Sequence, residues 1–154
     1  MNDGNVIEIR DLTAKYDDRT VLDRISLDIK RNEIFVILGS SGGGKTTLLK
    51  HIIGLLRPVS GSIKIFGQDV LSMETEEFEN ILKRIGMLFQ GGALINSMEV
   101  WENVAMPLEQ HTDLPPDIIK DIIKQKLALV NLQHAYSLLP SELSGGMKKR
   151  AALA

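Results

Sequence analysis

The chain has 154 residues, 44% hydrophobic and 25% charged, with a net charge of −2 and no cysteine. A chain of this length is one domain's worth and can bury roughly 70% of the surface it exposes when unfolded. The balanced charge gives no sign of a nucleic-acid binder, and the lack of cysteine excludes disulfides and thiolate metal sites. The opening stretch MNDGNVIEIR has an acidic residue and no apolar core, so it is not a signal peptide. Apolar runs such as Ile34 to Leu38 fall far short of the roughly 18 residues of a membrane span. These features describe a cytosolic chain that would serve a membrane only as a peripheral subunit.

In chain order, VIEIRDL and ISLDI alternate as half-buried strands do, and IFVIL is a continuous apolar run that predicts a strand buried on both faces. DDR and KRNE between them are turn material. A helix is predicted from near Lys45, with Leu48, Leu49, Ile52 and Ile53 on one face and Gly54 as punctuation. SIKIFG alternates as a further strand. After the acidic METEEFEN segment, IGMLF reads as another buried strand. From Glu99 the pattern turns helical, and PPDIIKDIIKQKLALV opens on prolines suited to a first turn, then repeats apolar pairs at Ile118/Ile119 and Ile122/Ile123 before Leu127. There is no internal repeat, heptad run or low-complexity linker.

The strongest chemical signal is GSSGGGKTT, residues Gly39, Ser40, Ser41, Gly42, Gly43, Gly44, Lys45, Thr46 and Thr47. It fits G-x-x-x-x-G-K-[ST], with a predicted strand before it and an amphipathic helix after it. Glycines let successive N–H groups converge on phosphate oxygens, and the helix that follows adds its positive dipole end. Lys45 would reach the β and γ phosphates, and the Thr46 hydroxyl would ligate Mg²⁺. The bland alternative, a glycine-rich turn with an exposed lysine, does not account for strand, loop and helix all in place. At the other end of the chain, Ser144, Gly145 and Gly146 read as a helix N-terminus able to hold an anion. His51, His111 and His134 show no metal-ligand spacing.

Together these segments resemble the ATP-binding cassette (ABC) ATPases over essentially the whole chain. LSGGM at Leu143 to Met147 is similar to the family's signature motif, with methionine where glutamine is commonest. GMLFQ at Gly86 to Gln90 resembles the approach to the Q-loop, and ENV at Glu102 to Val104 follows it. Tyr16 matches the aromatic position that stacks on adenine. GLLRPVSGSIKIFGQDV also has the family's look. The resemblance implies an α/β P-loop NTPase fold of the ABC type, with an antiparallel β-subdomain, part of the parallel core sheet and a helical subdomain. The β-subdomain and P-loop core would cover about residues 1–90, and the helical subdomain with the signature about 91–154.

It also implies ATP and Mg²⁺ as cofactors, with Gln90 in a catalytic role, ligating the metal beside Thr46 or positioning the attacking water. Two cassettes would pair head to tail, so that one signature faces the γ-phosphate bound by the other P-loop. Each residue has a plainer role beside this one. Tyr16 could pack as a strand-end aromatic, Gln90 could cap loose backbone groups, and the basic residues of MKKR are a solvated helix face. QGGAL and SGGMKKRAALA look most like the cassettes of Mla/Mce-type lipid transporters. That likeness implies an inner-membrane permease and an MCE-domain lipid-binding protein as partners, phospholipid as cargo, and a peripheral place on the cytoplasmic face of the inner membrane of a bacterium. A cassette for another cargo and a non-transport ABC ATPase stay as alternatives. A DNA-repair ATPase would insert a long coiled coil between P-loop and signature, and a ribosome-associated protein would carry two cassettes. No stretch matches the family's four apolar residues running into Asp-Glu, its D-loop or its switch histidine. The chain therefore reads as an N-terminal fragment whose C-terminal core strands are missing, inactive by itself.

Overall fold

A computed structural model describes residues 4–154. The first three residues, part of the stretch read for a signal peptide, lie outside the described residues. The elements run β1 (Asn5–Tyr16), β2 (Arg19–Lys30), α1 (Lys45–Ile52), β3 (Ser60–Ile65), β4 (Gln68–Asp69), α2 (Thr75–Leu82), α3 (Val100–His111), α4 (Pro116–Leu129) and α5 (Gly145–Ala151). They form two compact units, one ending at Gly86 and one beginning at Met87.

The first unit is an antiparallel sheet in the order β2-β1-β3-β4. Its core depends on a break in the alternation of β1. Ile7 and Ile9 pair with Ile65 and Ile63, but the next core residues are Leu12 and Ala14, which a strict period of two would send to the opposite face. The register shifts between Ile9 and Leu12, where Asp11 has φ 47°. This bulge inserts one residue and returns Leu12 to the buried side, and the Asp11 N–H is taken up by Ser26 Oγ at 2.8 Å. Helix α1 adds Leu48 and Ile52 to the same core. Leu49 stays exposed, so the apolar stripe of α1 is narrower than its sequence suggests. The buried place beside Leu48 and Ile52 goes to His51, whose Nδ1 lies 2.7 Å from Thr47 O. Gly54, at φ 72°, follows the end of α1 as predicted.

The second unit gathers α3, α4 and α5 around Val100, Ala105, Ile119, Ile123, Leu127, Leu132, Leu143 and Ala151. Of the apolar pairs in α4, the second member of each, with Leu127, forms the buried i, i+4, i+8 stripe, while Ile118 is exposed. Pro115 and Pro116 open α4 at its N-cap and first position. The first turn of α3 is tied down by backbone, Val100 N–H to Leu138 O at 2.9 Å and Trp101 N–H to Tyr136 O at 3.1 Å.

The two predicted buried strands differ from expectation. Neither Ile34–Leu38 nor Ile85–Phe89 joins a ladder, and the described residues contain no parallel strand pair. Ile34 is 93% and Leu38 87% exposed, with Leu88 at 47%. An apolar run becomes a strand only where a neighbour accepts its N–H and C=O groups, and no described segment does so here. Phe35 to Leu38 instead line a cleft of about 370 Å³ against Leu22, Ile25 and Leu27 of β2.

Burial sets a clear contrast on α4, where Leu127 is fully buried and Leu129 is 78% exposed. Leu127→Ala should lower the unfolding free energy by about 2–5 kcal/mol. Leu129→Ala should change it by less than about 0.5 kcal/mol, both measured by urea denaturation.

Candidate functional site

The loop Gly39–Thr47 lies in the first unit and ends on α1. Its turn is closed by Gly43 N–H donating to Ser40 O at 3.1 Å, and Gly42 and Gly44 sit at φ 79° and 83°. Gly44 is the N-cap of α1 and cannot take a side chain. A Cβ there would stand 2.8 Å from Leu22 Cδ2 and 3.1 Å from Val21 O, and its left-handed backbone would strain any L residue. The absent side chain has a second effect. The first bond of α1 runs from Leu48 N–H to Gly44 O at 2.8 Å, and no side chain caps the helix. The N–H groups of Lys45, Thr46 and Thr47 therefore point out of the helix start without an internal acceptor, which is the donor set an anion needs.

Lys45 reinforces this arrangement. Its Nζ donates to Gly39 O at 2.7 Å and Ser40 O at 2.6 Å, so the ammonium bridges the first helical residue to the start of the loop. Positive charge, free amides and a positive helix end meet at one place, and these residues fit a polyphosphate. Ser41 and Thr46 are exposed at the loop's surface. Tyr16 ends β1 opposite Arg19 and is 47% exposed, free to offer a ring face.

The remaining sequence-predicted residues belong to the second unit. Gln90 is exposed in a turn that follows the apolar segment Ile85–Phe89. Ser144 is the N-cap of α5 and accepts from Met147 N–H at 3.3 Å, while Lys148 N–H bonds Ser144 O at 2.9 Å. Gly145 and Gly146 are exposed, and a Cβ at either would meet nothing within 4 Å, so their backbone lies open to a large partner. Among the described residues no group of three or more His, Asp or Glu residues could hold a metal. Thr46 and Gln90, the residues read as metal ligands, stand in different units. Two supporting features were not anticipated: the seat of Gly44 on Val21 and Leu22, and the buried His51 on the P-loop helix. The sequence around Val21, Leu22 and His51 hints at neither, since both depend on which elements come to lie side by side.

Fold, loop and signature helix define an ATP-binding cassette, and the chain belongs to the ABC transporter family, whose sequence pattern matches residues 22–154. It is 48% identical over 150 residues to the intermembrane phospholipid transport system ATP-binding protein MlaF of Haemophilus influenzae, covering 97% of this chain and 57% of that protein. The MlaF protein of Escherichia coli K12 is 44% identical over 151 residues, covering 98% and 56%. A probable ribonucleotide transport ATP-binding protein of Mycobacterium leprae is also 44% identical over 151 residues, with 44% of its length covered. The chain thus spans about half the length of these curated relatives. Among solved structures, a dimeric ATP-binding cassette in a post-hydrolysis state bound to ADP and Pi superposes with TM-score 0.87 at 27% identity, covering 96% of this chain and 67% of that one. The protein cbiO1 of Clostridium perfringens, part of the ABC transporter complex cbiONQ, gives TM-score 0.81 at 28% identity, covering 97% and 60%.

Gly44→Ala should destabilise the chain by about 1–3 kcal/mol, through strain at positive φ and the clash with Leu22. Gly86→Ala, where an added Cβ meets nothing within 4 Å, serves as the near-neutral control in the same denaturation series.

Proposed function

We propose that this chain is the ATP-binding part of a transport cassette that works as a head-to-tail pair beneath a membrane permease. The observation that carries the reading is the phosphate cradle: Lys45 folded over Gly39 and Ser40, with three unclaimed amides at the start of α1. In this reading the amides of Ser40 to Thr47 and the Lys45 ammonium hold the β and γ phosphates. Thr46 and Gln90 are the residues of this chain that would hold Mg²⁺, and the metal would supply Lewis acidity toward the phosphates. Tyr16 stacks on the adenine, a contact that tolerates base identity because any base offers a π-face.

Ser144, Gly145 and Gly146 face outward in their own unit, and their proposed ligand is the γ-phosphate carried by the second cassette. The bare backbone at Gly145 and Gly146 supports this, because a phosphate held by another chain must approach closely. No residue of this chain matches the family's general-base glutamate, its metal-anchoring aspartate or its switch histidine. We therefore propose that these 154 residues bind ATP without turning it over.

Phospholipid is the cargo that the Haemophilus and Escherichia relatives support by name, with an MCE-domain lipid-binding protein as a further partner. The mycobacterial relative carries a different cargo in its name at the same identity as the Escherichia protein. Cargo is selected by the permease, outside the ATP-site chemistry, so the nucleotide reading stands independently of it. Among the described residues no helix is long and apolar enough to cross a membrane. The proposed place is peripheral, on the cytoplasmic face of the inner membrane.

Calorimetric titration with ATP tests the cradle. Lys45→Ala should weaken binding at least about tenfold by removing a charge-assisted contact, and equal affinity in both proteins would refute it. In a full-length cassette carrying these residues, Ser144→Arg should leave ATP binding by the monomer intact and block ATP-driven dimerisation seen by light scattering. Normal dimerisation of that variant would end the half-site reading.

A further inference from the structure

Among the described residues His51 is the only buried one with a polar side chain, and just one of its two ring nitrogens is used. Nδ1 lies 2.7 Å from Thr47 O. A carbonyl oxygen can only accept, so Nδ1 carries the hydrogen and Nε2 of the neutral ring is an acceptor. No described group donates to Nε2, yet no fully buried side-chain nitrogen or oxygen lacks a partner. Nε2 therefore belongs to the part of the residue, 3% of its surface, that stays open.

His51 opens on a cleft of about 230 Å³ within the first unit, at the end of α1 away from the phosphate loop. Leu56, Met73 and Phe78 give it apolar walls, and Arg57 and Thr75 are its other polar members. Gly54, left-handed at φ 72°, lets the Phe78 ring close one side. Arg57 is exposed and forms no ion pair among the described residues. Helix α2 starts at Thr75 without a side-chain cap, and its first bond runs from Phe78 N–H to Glu74 O at 3.1 Å. The N–H groups of Thr75, Glu76 and Glu77 thus have no acceptor within the helix. The carboxylates of this turn do not oppose an anion in the cleft, since Glu74, Glu76 and Glu77 are exposed and none of them lines it.

We propose that this cleft binds a small, apolar hydroxy acid. Its hydroxyl donates to His51 Nε2, its carboxylate lies against the Arg57 guanidinium and the start of α2, and its hydrocarbon part covers Met73 and Phe78. A plain anion would set a lone pair against Nε2, and a purely apolar molecule would leave both Nε2 and Arg57 without a partner. The cleft, at about 230 Å³, is smaller than the roughly 300–1,000 Å³ of sites for drug-sized ligands, which limits the acid to a few carbons. No residue of Gly39–Thr47 lines it, so the site is separate from the nucleotide reading and does not rest on it.

The probes are 2-hydroxy-3-methylbutanoate and 3-methylbutanoate, which differ only in the hydroxyl. In calorimetric titration of a full-length cassette carrying these residues, the hydroxy acid should bind at least about tenfold tighter, because the other leaves Nε2 without a donor. Arg57→Ala should weaken binding of the hydroxy acid at least about tenfold and leave ATP affinity unchanged. His51→Leu, which removes both ring nitrogens, should bring the two acids to equal affinity. The amide resonances moved by the hydroxy acid should be those of residues 51–57 and 70–78. Equal affinity of the two acids for the parent protein would overturn the role of His51 and with it the inference. So would binding indifferent to Arg57→Ala, or resonance changes that fall on Gly42–Thr47 instead, the mark of an acid seated in the phosphate loop. Absence of binding at about 10 mM hydroxy acid would overturn it as well. If His51→Leu unfolds, the pair of acids and Arg57→Ala decide without it.

Discussion

The contact between Gly44 and β2 is the constraint on which the rest of this chain depends. A P-loop must present a fixed set of amides, and a flexible loop of glycines would lose much of that advantage to conformational entropy. Here the last glycine is held in a left-handed conformation with Val21 O and the Leu22 side chain where a Cβ would otherwise be. Leu22 is itself held by its pairing with Ala14 in β1, on the stretch whose facing is set by the bulge at Asp11. One extra residue in β1 thus decides which side chains enter the core, and through Leu22 that choice reaches the phosphate cradle. The shape of the anion site is a property of the antiparallel sheet as much as of the loop's own residues.

The starts of α1 and α5 show how the same geometry can serve two purposes. Helix α1 has no side-chain cap, a cation folded over its loop and amides left free, the set of groups that the proposed phosphate site needs. Helix α5 is capped by its own Ser144, which takes up the Met147 N–H, and it brings no cation to its start, since its basic residues Lys148, Lys149 and Arg150 lie in the last turn. Charge there favours the helix C-terminus and leaves the N-terminus to contribute hydrogen bonds and a weak dipole. An end of this kind adds to a site whose charge is balanced elsewhere, as the pairing of two cassettes would provide.

Much of this was legible along the chain. The strands β1, β2 and β3, the start of α1 near Lys45, its end at Gly54 and the proline-led α4 follow from alternation, helical spacing and the chemistry of helix ends. The geometry of the loop Gly39–Thr47 was legible because it is local, and its glycines and lysine are neighbours in sequence. What could not be read depends on partners distant in sequence. IFVIL has the composition of a buried strand, yet burial is conferred by a neighbour, and without one Ile34 and Leu38 stand open. The bulge at Asp11 was hidden because VIEIRDL still looks like simple alternation, although the spacing from Ile9 to Leu12 breaks it. His51 showed no metal-ligand spacing and no other signal, and only the packing of α1 on the sheet shows that it is buried.

The central claim is that the phosphate site lies wholly in residues 39–47 and is complete before any second chain arrives. Amide hydrogen exchange followed residue by residue, with and without ATP at a concentration where the chain is monomeric, tests it most directly. The account predicts exchange slowed at least about tenfold from Gly42 to Thr47 and unchanged from Ser144 to Met147. Protection that appears first at Ser144–Met147, or none at Gly42–Thr47, would contradict it.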